Sequence, residues 1–273
     1  MIKFSILASG SSGNAAVICS DEAVVLIDCG VSAKYLSESL AAINIKPQDI
    51  SAAVITHAHG DHISASGLSF LMKHNVKILS CGEVFEDAFI KHGVKLDDCR
   101  LIAFVRNFKV YDIEVNPFYV HHRDQRVSKT LGFTFVSQSC GKQYKIGYVT
   151  DTGKICKNIV SHLADSNILA IESNYDTAML EESLRPYENK QWILSDNGHL
   201  SNAAAAQAII DVKNASKAKD SLKYVFLAHI SQSHNSKRLA LSTVENALAK
   251  NKITDINLFT ALRHSKSKTI IIQ

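Results

Sequence analysis

The sequence predicts an α/β protein whose helices alternate with strands at both ends of the chain and whose middle is a run of hairpins. Three observations carry that reading. Over residues 2–92, short apolar runs of strand length alternate with segments whose apolar residues recur at helical spacing. Four strand-like runs with short polar breaks then follow at 100–105, 110–120, 131–138 and 144–149. From residue 155 onward helix and strand alternate again. With 273 residues, 46% of them hydrophobic and only three prolines, nothing marks a linker, so residues 1–273 are expected to form one domain.

Taken in order, residues 2–7 and 15–19 are two strands around Ala8-Ser9-Gly10-Ser11-Ser12-Gly13-Asn14. The glycines of that turn allow close backbone approach, which suits either an anion-holding loop or a simple hairpin. Val24-Val25-Leu26-Ile27 is a buried strand ending in Asp28, and Leu36, Leu40 and Ile43 place a helix over 33–43. Asp28 fits either a supporting acceptor for a site or a turn. Helices over 63–74 and 83–92 flank a strand at 76–79. In the last part, strands at 168–171 and 223–228 end in Glu172 and His229, Ser201 or Asn202 caps an Ala-rich helix over 203–211, and a helix over 238–250 precedes strands near 256–260 and 269–272.

The N-terminal apolar run is too short for a secretory segment and no run reaches membrane-spanning length, so a cytoplasmic protein is expected. Six cysteines without any C-x-x-C pair point to buried reduced thiols rather than a disulfide framework or thiolate zinc site. A net charge of +4 permits an anionic substrate without demanding one. The basic clusters at 213–223 and 263–268 read as solvated faces.

The chemistry is concentrated in Thr56-His57-Ala58-His59-Gly60-Asp61-His62, directly after the apolar run Ala52-Ala53-Val54-Ile55. A chance occurrence of this HxHxDH pattern in such a chain has a probability of roughly one in five hundred. Three imidazoles and a carboxylate at a strand end can aim several ligand atoms at one point. Such a donor set suits zinc, manganese or iron better than magnesium or calcium. Two further strand tips, Tyr119-Val120-His121-His122 and Tyr148-Val149-Thr150-Asp151-Thr152-Gly153, offer a His and an Asp to complete the shell.

With these parts, and with His229 after the strand Tyr224-Val225-Phe226-Leu227-Ala228, the sequence resembles the metallo-β-lactamase superfamily over essentially its whole length. The loop at 8–14, Glu172-Ser173-Asn174-Tyr175-Asp176, Gly198-His199-Leu200-Ser201-Asn202 and Ala228-His229-Ile230-Ser231 narrow the resemblance to the YycJ/WalJ (VicX) family, regarded as probable DNA exonucleases. The resemblance implies a four-layer αββα sandwich of two mixed sheets flanked by helices, with two divalent metal ions, zinc or manganese (iron is also compatible), at one edge. It further implies that His57, His59 and His122 hold one ion, that Asp61, His62 and His229 hold the other, and that Asp151 bridges them. Relatives carry one His followed at once by Asp before a Gly-Phe strand, whereas here His121-His122-Arg123-Asp124 and a longer gap lead to Gly132-Phe133. The Phe118-x-Val120-x-His122 alternation matches the family's spacing and selects His122, with His121 on the opposite face.

Paired divalent cations acidify a shared water, so a hydroxide nucleophile is available at neutral pH, with Asp61 among the residues that hold it. His199 is the proton donor implied by resemblance, oriented and favoured in its charged form by Glu172. Ser11, Ser12, Asn14 and Ser201 are candidates to hold substrate oxygens, with bracing of the metal ligands the alternative for the first three. The expected activity is phosphodiester cleavage, DNA before RNA. A glyoxalase-II-like thioesterase would use the same ligands, but it expels a thiolate that needs no acid, and a non-catalytic regulator of a cell-wall signalling system would tolerate broken ligands. The intact set and the Glu172 and His199 pair favour the nuclease.

Overall fold

Strands that are apolar at every position can be accommodated only between two covering layers. The computed structural model, which describes residues 1–93, 95, 98–125 and 127–273, builds those layers from two seven-stranded sheets. The first contains β1 (Ile2–Ala8), β2 (Ala15–Cys19), β3 (Val24–Ile27), β4 (Ala52–Val54), β5 (Lys77–Ser80) and β6 (Leu101–Ala103) in spatial sequence. The second contains β7 (Phe108–Val110), β8 (Ile113–Tyr119), β9 (Leu131–Ser139), β10 (Lys142–Val149), β11 (Ile168–Glu172), β12 (Tyr224–Ala228) and β13 (Asn257–Thr260). The last strand, β14 (Ile270–Ile272), returns to pair with β1 in the first sheet.

Each sheet is antiparallel in its first half and parallel in its second. Strands β14, β1, β2 and β3 are antiparallel neighbours, whereas β3 to β6 run parallel. Strands β7 to β10 are antiparallel and β10 to β13 parallel. The change has a local cause: turns or a non-helical loop join the antiparallel strands that are consecutive in the chain, and parallel neighbours require a helical crossover. In the first half those crossovers are α1 (Ala33–Ala41), α2 (Ala65–Lys73) and α3 (Gly82–His92). In the second half α4 (Lys157–Leu163), α5 (Thr177–Glu182), α6 (Tyr187–Leu194), α7 (Asn202–Ala215) and α8 (Lys237–Lys250) follow.

Residue parity shows both faces of the second sheet filled. Ile168, Ala170, Phe226 and Ala228 join the large core shared with the first sheet, while Leu169, Ile171, Val225 and Leu227 join a separate core with α4, α7 and α8. On the far side Leu36, Leu40, Leu71, Val84 and Phe85 cover the first sheet from α1, α2 and α3. The result is the four-layer αββα sandwich that the sequence resemblance implies. Burial of each large apolar side chain contributes about 1.5–3 kcal/mol, which makes these layers the main source of stability.

Two local readings change. The single strand expected over 110–120 is broken at Tyr111, whose φ of +52° turns the chain into the β7–β8 hairpin. The segment between β11 and α7 carries α5 and α6, which the apolar spacing did not disclose. Those helices bury few residues and pack in a small cluster of Tyr175, Leu180 and Ile193, with Trp192 against it.

One close approach positions the functional edge. A Cβ added at Gly30 would lie 1.7 Å from the Asp61 carbonyl oxygen, so only glycine lets the segment after β3 run against the HxHxDH loop. Gly30→Ala is therefore expected to cost about 2 kcal/mol or more through forced displacement. Gly82→Ala, where a Cβ meets nothing within 4 Å, is the control and should unfold at or slightly above the wild-type denaturant midpoint.

Candidate metal centre

The candidate metal ligands emerge at the carboxyl ends of strands, where an α/β sheet leaves its crevice, while His199 and Ser201 lie between α6 and α7. Thr56 to His62 follow β4, Asp28 follows β3, His122 follows β8, Asp151 follows β10 and His229 follows β12, while Glu172 is the last residue of β11. Asp28, Asp151 and His229 each adopt left-handed backbone, with φ of 60°, 52° and 52°. That conformation is uncommon outside glycine and turns each side chain away from the strand direction. The two sheets are joined here directly, since Leu131 N–H donates to the Thr56 carbonyl over 3.0 Å and His229 N–H donates to Ser9 Oγ over 2.8 Å.

Two groups of ligand atoms result. His57 Nε2 lies 3.0 Å from His59 Nδ1, and His122 Nε2 lies 3.4 Å from the same atom. Nitrogens bound tetrahedrally to zinc at about 2.0–2.1 Å sit about 3.3 Å apart, so this spacing is that of a coordination shell. Beside it, His229 Nε2 and His62 Nε2 approach Asp61 Oδ2 at 3.4 and 3.7 Å. Asp151 lies between the groups, with Oδ2 3.0 Å from His62 Nε2. That oxygen is buried and has His62 as its one near partner, which leaves acceptor capacity of the kind a cation satisfies. His122, rather than His121, reaches the cluster and is buried there.

The ring nitrogens that face away from the clusters are held. His57 Nδ1 meets Thr56 Oγ1 at 3.0 Å, His62 Nδ1 meets Asp28 Oδ2 at 2.8 Å, His122 Nδ1 meets the Gly198 carbonyl at 2.8 Å, and His59 Nε2 meets Asp124 Oδ2 at 3.2 Å. Such partners fix the tautomer and aim the opposite nitrogen inward, as metal-ligating histidines require. Asp28 is thus a supporting acceptor as well as a turn residue. Thr56 and Asp124 were not singled out from sequence, although both adjoin residues that were.

Glu172 joins the two halves of the chemistry. Its Oε1 accepts from Nδ1 of both His199 and His229 at 2.8 Å, and its Oε2 accepts from the Thr152 and Leu200 N–H groups at 3.0 Å. With Nδ1 spoken for, His199 presents Nε2. Its ring lies 5.4 Å from Trp192, which also flanks His122 at 5.5 Å. A cavity of about 360 Å³ opens beside His199 and His229, and Ser11 lines it. A second, of about 790 Å³, is lined by Arg123, Asp124, Gln125, Trp192 and Asn197.

The remaining polar candidates divide. Asn14 is buried, accepts from Gly10 N–H over 2.8 Å and donates to the Asp61 carbonyl over 3.2 Å, so it braces the loop instead of facing substrate. Ser201 Oγ accepts from Ala204 N–H as the N-cap of α7, which assigns its hydroxyl to the helix rather than to substrate. Ser12 is exposed at the tip of the 8–14 loop.

Electrostatics fit a cation. Burial opposes charge on His229, yet Asp151, Asp61 and Glu172 outweigh it and push the ring up to about 10. His62 is likewise raised against its burial by Asp151, Asp28 and Asp61. Burial and neighbouring imidazoles hold His57 low, and burial holds His122 at about 4. Asp61, Asp151 and Glu172 would be raised by burial but are pulled down by the surrounding histidines. Three ionised carboxylates therefore face two imidazoliums, an excess of negative charge that a divalent cation would offset.

A proton linkage follows. In the ion-free protein His62 and His229 are protonated at pH 7, because their folded-state pKa values are raised, and those protons must leave before Nε2 can bind a metal. Apparent metal affinity should rise as pH increases from 7 toward 10, with about two protons released per protein at saturation. Calorimetry in buffers of different ionisation enthalpy measures that release, and a buffer-independent heat would contradict it.

Comparison with known proteins agrees with this geometry. The family model of the β-lactamase superfamily domain matches residues 24–219. The exodeoxyribonuclease YycJ of Bacillus anthracis is 31% identical over 90% of this chain and 89% of its own length. The exodeoxyribonuclease WalJ of Streptococcus pneumoniae strain D39 is 32% identical over 90% of this chain and 88% of its own. Among solved structures, the metallo-β-lactamase-fold protein YhfI of Bacillus subtilis superposes with a TM-score of 0.67 at 13% identity, covering 97% of this chain and 98% of that one. A helix long and apolar enough to cross a membrane is absent among the described residues. Two mixed sheets carrying a His and Asp cluster at their common edge, and two relatives above 30% identity over nine-tenths of the chain, establish that the protein belongs to the metallo-β-lactamase superfamily, in the family of YycJ and WalJ.

Proposed function

We propose that residues 1–273 form one hydrolase domain that cleaves nucleic-acid phosphodiesters, as a DNA exonuclease, with two divalent ions. The ions are zinc or manganese, with iron compatible with the same donors. His57, His59 and His122 would hold one ion, Asp61, His62 and His229 the other, with Asp151 shared. When bound, such ions acidify a water toward neutrality and neutralise the charge that develops on a phosphoryl group.

The observation that carries the reading is the Glu172 and His199 pair beside the cluster. Glu172 holds His199 by Nδ1, so the proton available to the leaving oxygen is the one on Nε2. After attack by water, the ester oxygen leaves as it takes that proton. Trp192 packs edge-on against His199 and His122 and limits water around the donor. The names of YycJ and WalJ support DNA as the polymer and its end as the point of attack.

End-labelled single- and double-stranded DNA and RNA, incubated with manganese or zinc, test the reading. His59→Ala should lose activity together with bound metal. His199→Ala should retain metal while its rate falls about 10²–10⁴-fold. Wild-type cleavage by His199→Ala would remove the proton-donor role, and turnover of a thioester panel without cleavage of any nucleic acid would move the protein to the thioesterase class.

A further inference from the structure

The cavity beside His199 and His229 is also lined by residues that the hydrolytic chemistry does not use. Arg185, Asn189, Ser231 and His234 line it, and Ser11 closes one side. At about 360 Å³ it lies near the small end of the ~300–1,000 Å³ range that holds single small ligands, room for one nucleotide and too little for a duplex.

Arg185 is held there in an unusual way. Its Nε donates to Nε2 of His234 over 3.1 Å, and His234 is itself buried, with Nδ1 3.3 Å from Ser231 Oγ and its carbonyl accepting from Asp176 N–H over 2.8 Å. An acceptor Nε2 means an uncharged ring, and burial together with Arg185 and Lys190 lowers the His234 pKa accordingly. Among the described residues no carboxylate pairs with the Arg185 guanidinium. The arginine is thus fixed by a neutral imidazole at its inner nitrogen while its outer fork remains free for a ligand. A fixed guanidinium fork matches two oxygens of a phosphate, which an amine on a flexible stem does not. Ser11 is steadied from the other side, its Oγ accepting from Arg263 Nη2 over 3.3 Å.

We infer that Arg185, positioned by His234, binds a phosphate group of the substrate one nucleotide away from the bond that is cut. The inference rests on the phosphodiesterase reading and deepens it. The candidate ion cluster attracts the scissile phosphate, Arg185 attracts a second phosphate, and the cavity accepts the intervening nucleotide. Two sources present the required anion: a terminal phosphomonoester, or the next diester of a longer strand.

The test uses the manganese-loaded protein and its Arg185→Ala and Arg185→Lys variants. Calorimetry with deoxynucleoside 5′- and 3′-monophosphates reads the subsite without turnover. Arg185→Ala should bind the preferred monophosphate at least about tenfold more weakly, with Arg185→Lys between the two. Cleavage of dinucleotides with and without a terminal phosphate, and of a trinucleotide, separates the sources: a phosphomonoester site discriminates by the end phosphate, a diester site by length. In each case the Arg185→Ala defect should appear in KM for the discriminating substrate. Hydrolysis of bis(p-nitrophenyl) phosphate, which reaches no further than the scissile group, should be unchanged. Equal monophosphate affinity in wild type and Arg185→Ala overturns the inference whatever the activity. Absence of phosphodiester cleavage by the wild type, with binding still dependent on Arg185, overturns the phosphodiesterase reading and leaves the phosphate site standing.

Discussion

The structure depends on keeping three ionised carboxylates, the buried Asp151 and Glu172 and the partly exposed Asp61, within hydrogen-bonding distance of imidazoles. Removing a carboxylate from water costs several kcal/mol after relaxation, and only charges and donors at the right positions offset it. Asp151, Asp61 and Glu172 meet this requirement with His62 and His229, and Glu172 also with two backbone N–H groups. Because Oε1 of Glu172 is shared between His229 and His199, a ring aimed at the ion cluster and the ring aimed at the cavity take their orientation from one atom. The two cannot be placed independently.

Convergence on that scale explains the layer arrangement. Six separate strand ends must deliver side chains to one volume, and a sandwich of two sheets whose carboxyl edges meet supplies them without long loops. The left-handed backbone at Asp28, Asp151 and His229 carries a cost of order 1–3 kcal/mol at each position. Hydrogen bonds that those side chains make at the edge offset it, among them Asp28 to Thr56 N–H and His62. Gly30 and Gly198 let neighbouring backbone come closer than any Cβ permits, the first against Asp61 and the second against the end of α6. The Gly198 carbonyl is in turn the acceptor for His122, so a packing constraint becomes a ligand-orienting one.

Much of this was legible because its signals are local. HxHxDH is contiguous, the strands that end in Glu172 and His229 are uniformly apolar, and the one before Asp151 closes on Tyr148-Val149, so their polar tips stand out. His122 followed from the family's spacing matched to the alternation that runs on from β8. What was not legible depends on contacts distant in sequence. Asn14 had two open roles, and only its bonds to Gly10 and Asp61 select bracing. Ser201 is consumed by a helix cap that the sequence also suggested. Helices α5 and α6 bury only Leu180 and Ile193 of their fourteen residues, too few to impress a period on the sequence, so neither Trp192 in α6 nor Arg185 between the two helices drew notice as part of the site. The β7–β8 break rests on one left-handed Tyr111, a residue type that gives no warning of it.

The same cluster would serve an ester, a thioester or a phosphodiester, so the choice between them rests on what must leave. A thiolate, with a conjugate acid near pKa 8.5, departs unaided at neutral pH. An alkoxide resembles hydroxide, whose conjugate acid water lies near 15.7, and departs readily only when protonated. A positioned acid is therefore valuable for oxygen leaving groups and nearly redundant for sulfur. Glu172 orients His229 in either class, but its second hydrogen bond, to His199 beside the cavity, has a use only where the leaving group needs a proton. The pair, with both carboxylate oxygens of Glu172 bonded, is the physical argument for an oxygen ester.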